Sequence, residues 1–186
     1  MIISWEKHGL RVVIQVVSSV GPNSESRKEA GFPEKVYTVE EVRSAQRALS
    51  KGHRHMIKIV GSDPFTEKVE GALGLIRAAG YKDFLRKYIR SVVEIDGVSQ
   101  LREHDAAIWA NIHNFTDPVE GARFLIQKAH QMKMYLEGKP YYEHGETSAI
   151  QRSLEFLEEL KVRCKDRGLR EKCEETLRLW RGYGPM

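Results

Sequence analysis

Residues 117–138, Asp-Pro-Val-Glu-Gly-Ala-Arg-Phe-Leu-Ile-Gln-Lys-Ala-His-Gln-Met-Lys-Met-Tyr-Leu-Glu-Gly, decide how this 186-residue chain is read. Their spacing predicts a helix. Thr116 or Asp117 can cap its free amides, Pro118 suits the first turn, and Glu120 complements the positive end of the helix dipole. Gly138 followed by Pro140 ends it. Ala122, Leu125, Ala129, Met132 and Leu136 recur at three- and four-residue steps and form one apolar stripe. A second face carries Gln127 and Gln131 one turn apart, with His130 beside them and Lys128 at its edge.

Working outward, residues 10–17 are β-branched and apolar and read as a strand, followed by a Gly-, Pro- and Ser-containing loop over 18–33 that is expected to be flexible. Thr38-Val39-Glu40-Glu41 is a capping box that opens a helix to about Ser50, ended by Gly52. Residues 55–60 alternate and read as the second strand. Asp63-Pro64 or Thr66 then starts a helix through Ala79, closed by Gly80. A short helix over 82–88 and a third strand over 89–95 follow, with a turn at Asp96-Gly97. Residues 106–112 read as a fourth strand, although their alanines and residues 101–104 also permit a helix. Beyond the central helix comes a corner at Gly145-Glu146, then helices over 147–165 and 170–181 separated at Gly168. Val69-Glu70-Gly71-Ala72 is echoed by Val119-Glu120-Gly121-Ala122, two copies being too few for a solenoid.

Composition bounds the alternatives. The length suits a single domain over 1–186, with 147–181 as a C-terminal helical part. A hydrophobic content of 41% and a charged content of 30% describe a globular chain with a core. No apolar run approaches a membrane span, and Glu6, Lys7 and Arg11 interrupt the apolar residues a secretory signal needs. Cys164 and Cys173 make no metal or redox motif, so a reduced, cytoplasmic setting is the expectation. The net charge of +4 is mildly basic. Only Arg86-Lys87-Tyr88-Ile89-Arg90 approaches a basic cluster with aromatic interleaving, which disfavours nucleic acid as a partner.

The stretch Gln127-Lys128-Ala129-His130-Gln131 resembles the active-site helix of zincin metallopeptidases, in which His-Glu-x-x-His binds zinc and supplies a general base. Here both histidines and the glutamate are replaced. Glu146-Thr147-Ser148-Ala149 resembles the context of that family's third ligand. The resemblance covers about residues 92–160. It implies an α+β fold, a mixed sheet packed on a long central helix, and an edge strand over 106–112 that lines a substrate cleft. Polar residues four apart are also ordinary on any amphipathic helix.

With amides at Gln127 and Gln131 and a cation at Lys128, zinc catalysis by the family mechanism is not expected, and neither a bound metal nor another cofactor is. Glu146 is expected to turn toward Gln127 or Gln131. Trp109, Tyr135, Tyr141 and Tyr142 are candidate cleft residues, or equally core anchors with satisfied polar tips. Three readings follow. The first is a catalytically degenerate zincin-like protein that acts as a binding or scaffold protein, with a protein or peptide as its expected partner. The second is a zinc-dependent hydrolase with a rearranged site of His130, His144 and Glu146. The third is a basic α/β module that binds nucleic acid or a protein partner. The sequence carries no sign of oligomeric state.

Overall fold

The computed structural model describes residues 2–7, 10–15, 31–142 and 144–182, with backbone only for 2–7, 10–15 and 144. Strand β1 (Ile2–Lys7) pairs antiparallel with β2 (Leu10–Gln15), and the two form a separate sheet. The strand expected over 10–17 is thus found in a hairpin and not in the main sheet. Most of the loop expected over 18–33 lies outside the described residues.

Local signals set the helices. Helix α1 (Val39–Ser50) opens on a complete capping box. The Thr38 hydroxyl accepts from the Glu41 amide at 3.2 Å, and the Glu41 carboxylate accepts from the Thr38 amide at 2.7 Å. Strand β3 (Lys58–Val60) is shorter than expected and leads into α2 (Asp63–Ala78). The cap of α2 is Ser62, not Asp63 or Thr66, and its hydroxyl accepts from the Phe65 amide. Gly80, with φ of 80°, turns the chain into α3 (Lys82–Tyr88) and β4 (Ser91–Glu94).

Next come β5 (Gln100–Arg102), a short 3-10 turn over Glu103–Asp105, and β6 (Ala107–Ala110). Helix α4 (Pro118–Leu136) is capped by Asp117, whose carboxylate accepts from the Val119 and Glu120 amides at 2.8 and 3.3 Å. Helices α5 (His144–Arg163) and α6 (Arg167–Gly182) complete the chain. The break between them falls before Gly168, because the Asp166 carboxylate accepts from the Leu169 amide at 2.7 Å and caps α6 there.

The main sheet has the order β3–β4–β6–β5, with β3, β4 and β6 parallel and β5 antiparallel to β6. This corrects the expectation that residues 106–112 form an edge strand. Strand β6 is interior, and the antiparallel edge belongs to β5. The register explains why: Ile59, Val92, Ile108 and Leu101 align across the four strands on one face. Of these, Val92, Ile108 and Leu101 are buried in the same core as α4. Such pairing on both sides suits a strand of small and β-branched residues.

The architecture is α+β, and the C-terminal helices are part of the core. Phe156, Leu157 and Leu160 of α5 are fully buried against it. Helix α4 is consequently enclosed almost all round. Its apolar stripe is buried as expected, but so are Arg123, Gln127, His130 and Gln131. The second face is therefore not a surface.

Candidate binding site around the central helix

Enclosing that polar face favours a partner for each group on it. On one side, Arg123 is 4% exposed and gathers three elements. Its Nε donates to Glu120 at 2.9 Å, and one terminal nitrogen donates to Gln127 Oε1 at 2.9 Å and to Ser153 Oγ of α5 at 3.4 Å. The guanidinium lies 3.7 Å from the ring centroid of Trp180 in α6, whose indole N–H donates to Glu120 at 3.0 Å. Gln127 is thus a buried tie for Arg123, not a vestige facing Glu146.

His130 is held between α4 and α5. Its Nε2 lies 3.0 Å from Ser148 Oγ, while Nδ1 is buried with no hydrogen-bond partner. Burial, then the charges of Lys133 and Arg152, pushes the ring below its ordinary pKa. The neutral tautomer with Nε2–H donating fits best, since an unpaired lone pair costs less than an unpaired N–H.

The other side of the helix is different. Lys128 donates to Gln131 Oε1 at 3.0 Å and sits 5.7 Å over the Phe124 ring. Burial pushes its pKa down, opposed by the charges of Glu146 and Glu103. Glu146 is exposed, and among the described residues no hydrogen bond joins its carboxylate to the amide donors of Gln127 or Gln131, whose Oε1 atoms accept from Arg123 and Lys128. The expectation that Glu146 turns to Gln127 or Gln131 is corrected: its charge acts on Lys128.

A row of aromatic rings runs from Tyr37 to Tyr142. Tyr37 lies 4.1 Å from His104 between centroids, His104 6.1 Å from Tyr135, Tyr135 5.8 Å from Tyr141, and Tyr141 4.3 Å from Tyr142. One carboxylate oxygen of Glu103 accepts from the hydroxyls of Tyr141 at 2.7 Å and Tyr142 at 3.1 Å. Tyr135 donates to the Val36 carbonyl at 2.6 Å. Burial, followed by the Glu103 hydrogen bond, holds the Tyr141 phenol well above its ordinary range, so it stays protonated as a donor.

Backbone geometry presents this row. Gly138 adopts φ of 67°, and Gly145 passes so close to Pro140 that a Cβ would lie 2.2 Å from its carbonyl oxygen. Glu103 stands on the 3-10 turn closed by Ala106 at φ of 49°, a strained conformation for a residue with a side chain. The result is a groove of about 470 Å³ lined by Tyr135, Gly138, Lys139, Pro140, Tyr141 and Tyr142.

Three of the four expected cleft residues therefore converge. Trp109 does not: it alternates with Ile108 onto the other face of the sheet, where the Arg102 guanidinium lies 4.5 Å from its ring centroid. Of the trio His130, His144 and Glu146, the described residues place two. His130 is buried against Ser148 and Glu146 is exposed, while the side chain of His144 lies outside the described residues. Among the described residues no three His, Cys, Asp or Glu side chains converge on a point. Burial pushes the Cys173 thiol up to about 11, which leaves it without nucleophilic character. No helix of the described residues is long and apolar enough to cross a membrane.

Glu103 and Tyr37 were not legible as site residues, because only tertiary packing brings Glu103 to Tyr141 and Tyr142 and Tyr37 to His104. Arg123 left a signal, since Glu120, Arg123 and Gln127 stand at helix-neighbour spacings. Comparisons with protein-family models, with curated proteins and with solved structures found no match.

Proposed function

We propose that the protein is a binding protein that takes an extended peptide segment of a partner across the row of rings. The observation that carries this is Glu103 holding Tyr141 and Tyr142 side by side while Tyr142 remains 66% exposed. A large ring fixed by a hydrogen bond and still facing solvent loses little entropy on contact, which is why tyrosine dominates recognition surfaces. Rings in a row suit an extended ligand with proline or cationic side chains, which pack on aromatic faces.

Glu103, which holds Tyr141 and Tyr142, also acts by its charge on Lys128, one position of the degenerate motif. A zincin-like frame that has exchanged catalysis for binding fits the same reading. The interior position of β6 counts against that frame, and the binding reading stands without it.

Selection of a displayed peptide library on the purified chain tests the reading. Selected peptides are expected to bind at micromolar affinity and to lose at least tenfold on Tyr142→Ala. Peptides that bind the variant equally well defeat it. Cleavage of the peptides on addition of zinc supports the hydrolase instead.

A further inference from the structure

A second concavity lies away from the tyrosine row, between the end of α2, α3 and residues 56–57. It has a volume of about 390 Å³ and is lined by Met56, Ile57, Leu73, Ile76, Arg77, Lys82, Leu85 and Arg86. Two helices contribute the same arrangement. Leu73, Ile76 and Arg77 occupy one face of α2, and Lys82, Leu85 and Arg86 one face of α3, each at three- and four-residue steps. Ile76 and Leu85, each 1% exposed, form an apolar floor. Arg77, Lys82 and Arg86 surround it, and among the described residues no carboxylate lines it.

On α5 and α6 several cations are neutralised locally, as in Arg152–Glu155, Lys161–Glu158, Arg163–Glu159, Arg167–Glu171 and Lys172–Glu175. Among the described residues no ion pair uses Arg77, Lys82 or Arg86. The helix dipole accounts for Arg77 and Arg86, which stand in the last turns of α2 and α3. It does not account for Lys82, the first residue of α3, where a cation meets the positive end. Arg86 is also fixed in place, its Nε donating to the His55 carbonyl at 2.8 Å. Three like charges held around one apolar mouth repel one another until an anion joins them.

We propose that this concavity binds an amphiphilic anion, a carboxylate or phosphate head on an aliphatic chain, with the chain on Ile76 and Leu85 and the head among Arg77, Lys82 and Arg86. The volume lies within the ordinary range for small-molecule pockets, and an apolar floor with a few convergent polar groups is their usual composition. The same head chemistry occurs in free fatty acids and in lipid surfaces, so the experiment must separate them.

Calorimetric titration of the full chain with decanoate and decyl phosphate below their micelle concentrations tests the site, with decanol, acetate and phosphatidylglycerol vesicles as the other arms. Decanoate or decyl phosphate is expected to bind at least tenfold more tightly than either decanol or acetate. The double variant Arg77→Gln, Lys82→Gln changes two exposed side chains, and is expected to lose about tenfold for the anions with decanol unchanged. Methyl resonances of Leu73, Ile76 and Leu85 in the unmodified chain are expected to shift on decanoate addition, a readout that does not depend on the variant's folding. Equal affinity for decanoate and decanol, an unaffected double variant, or methyl shifts confined elsewhere would each overturn the proposal. Binding to vesicles with none to the monomers overturns it too, in favour of a basic membrane-facing patch.

Discussion

Arg123 and Lys128 are both cations carried into the interior by one helix, and they are treated in opposite ways. The Arg123 side is closed: its guanidinium meets Glu120, Gln127, Ser153 and the Trp180 ring, so three helices are keyed to one fork of donors. The Lys128 side is open: the ammonium has one amide partner and feels two carboxylates at a distance, beside a row of partly exposed rings. A planar fork suits a closed network, while a point charge on a flexible stem tolerates an unfinished one. Where polar groups are fully paired they specify how helices pack. Where they are not, they are left for something else to pair with.

The comparison can be broken most sharply at Arg123. Arg123→Ala strands Gln127 and removes the surface on which Trp180 stacks, so a loss of about 3 kcal/mol in denaturant unfolding is expected. A loss below about 1 kcal/mol would mean the network is not what holds α4, α5 and α6 together.

Next in size is the pair of echoed glycines. A Cβ at Gly121 would lie 2.6 Å from Phe115 Cδ1, whereas nothing lies within 4 Å of one at Gly71. Gly121→Ala is expected to destabilise by about 2 kcal/mol through overpacking, and Gly71→Ala to stabilise by up to about 1 kcal/mol through helix propensity. Thermal melts of the two variants check the opposite signs.

A smaller effect concerns His130, whose folded pKa lies below its unfolded value because burial, Lys133 and Arg152 oppose the charge. The contribution is present above the unfolded pKa. It is lost as pH falls from there through the folded value, because the unfolded chain takes the proton first. His130→Asn is therefore expected to flatten part of the acid-side decline in stability. Parallel curves for the two proteins would show that His130 is not depressed.

The smallest changes are expected on the open side. Lys128→Met removes a desolvated cation and Tyr142→Ala an exposed ring, and each is expected to move stability by no more than about 0.5 kcal/mol. A loss above about 2 kcal/mol in either would make the open side structural and would sharpen the contrast in the wrong direction.

Local signals were legible because local chemistry decides them. The Thr38 capping box, the Asp117 cap and the glycines at 52, 80 and 138 all stand where the spacing put them. At Ser62 and Asp166 a neighbouring side chain could do the same job, and choosing between equivalent caps took the surrounding packing. Strand β5 went unread because three residues are too few to show a period, and without it β6 looked like an edge. Gln127 was read as facing a lost metal, although Arg123 four residues earlier already offered it a partner.

The sequence by itself determined the helices, some of their ends and the apolar stripe of α4, because capping and periodicity act within a few residues. Only the tertiary structure decided that the polar face of α4 is enclosed, that β6 is interior, and that Glu103, Tyr135, Tyr141 and Tyr142 form one groove. Those outcomes depend on which distant segments dock together. Docking is set by the shape and burial of whole surfaces, and no short window of sequence records it.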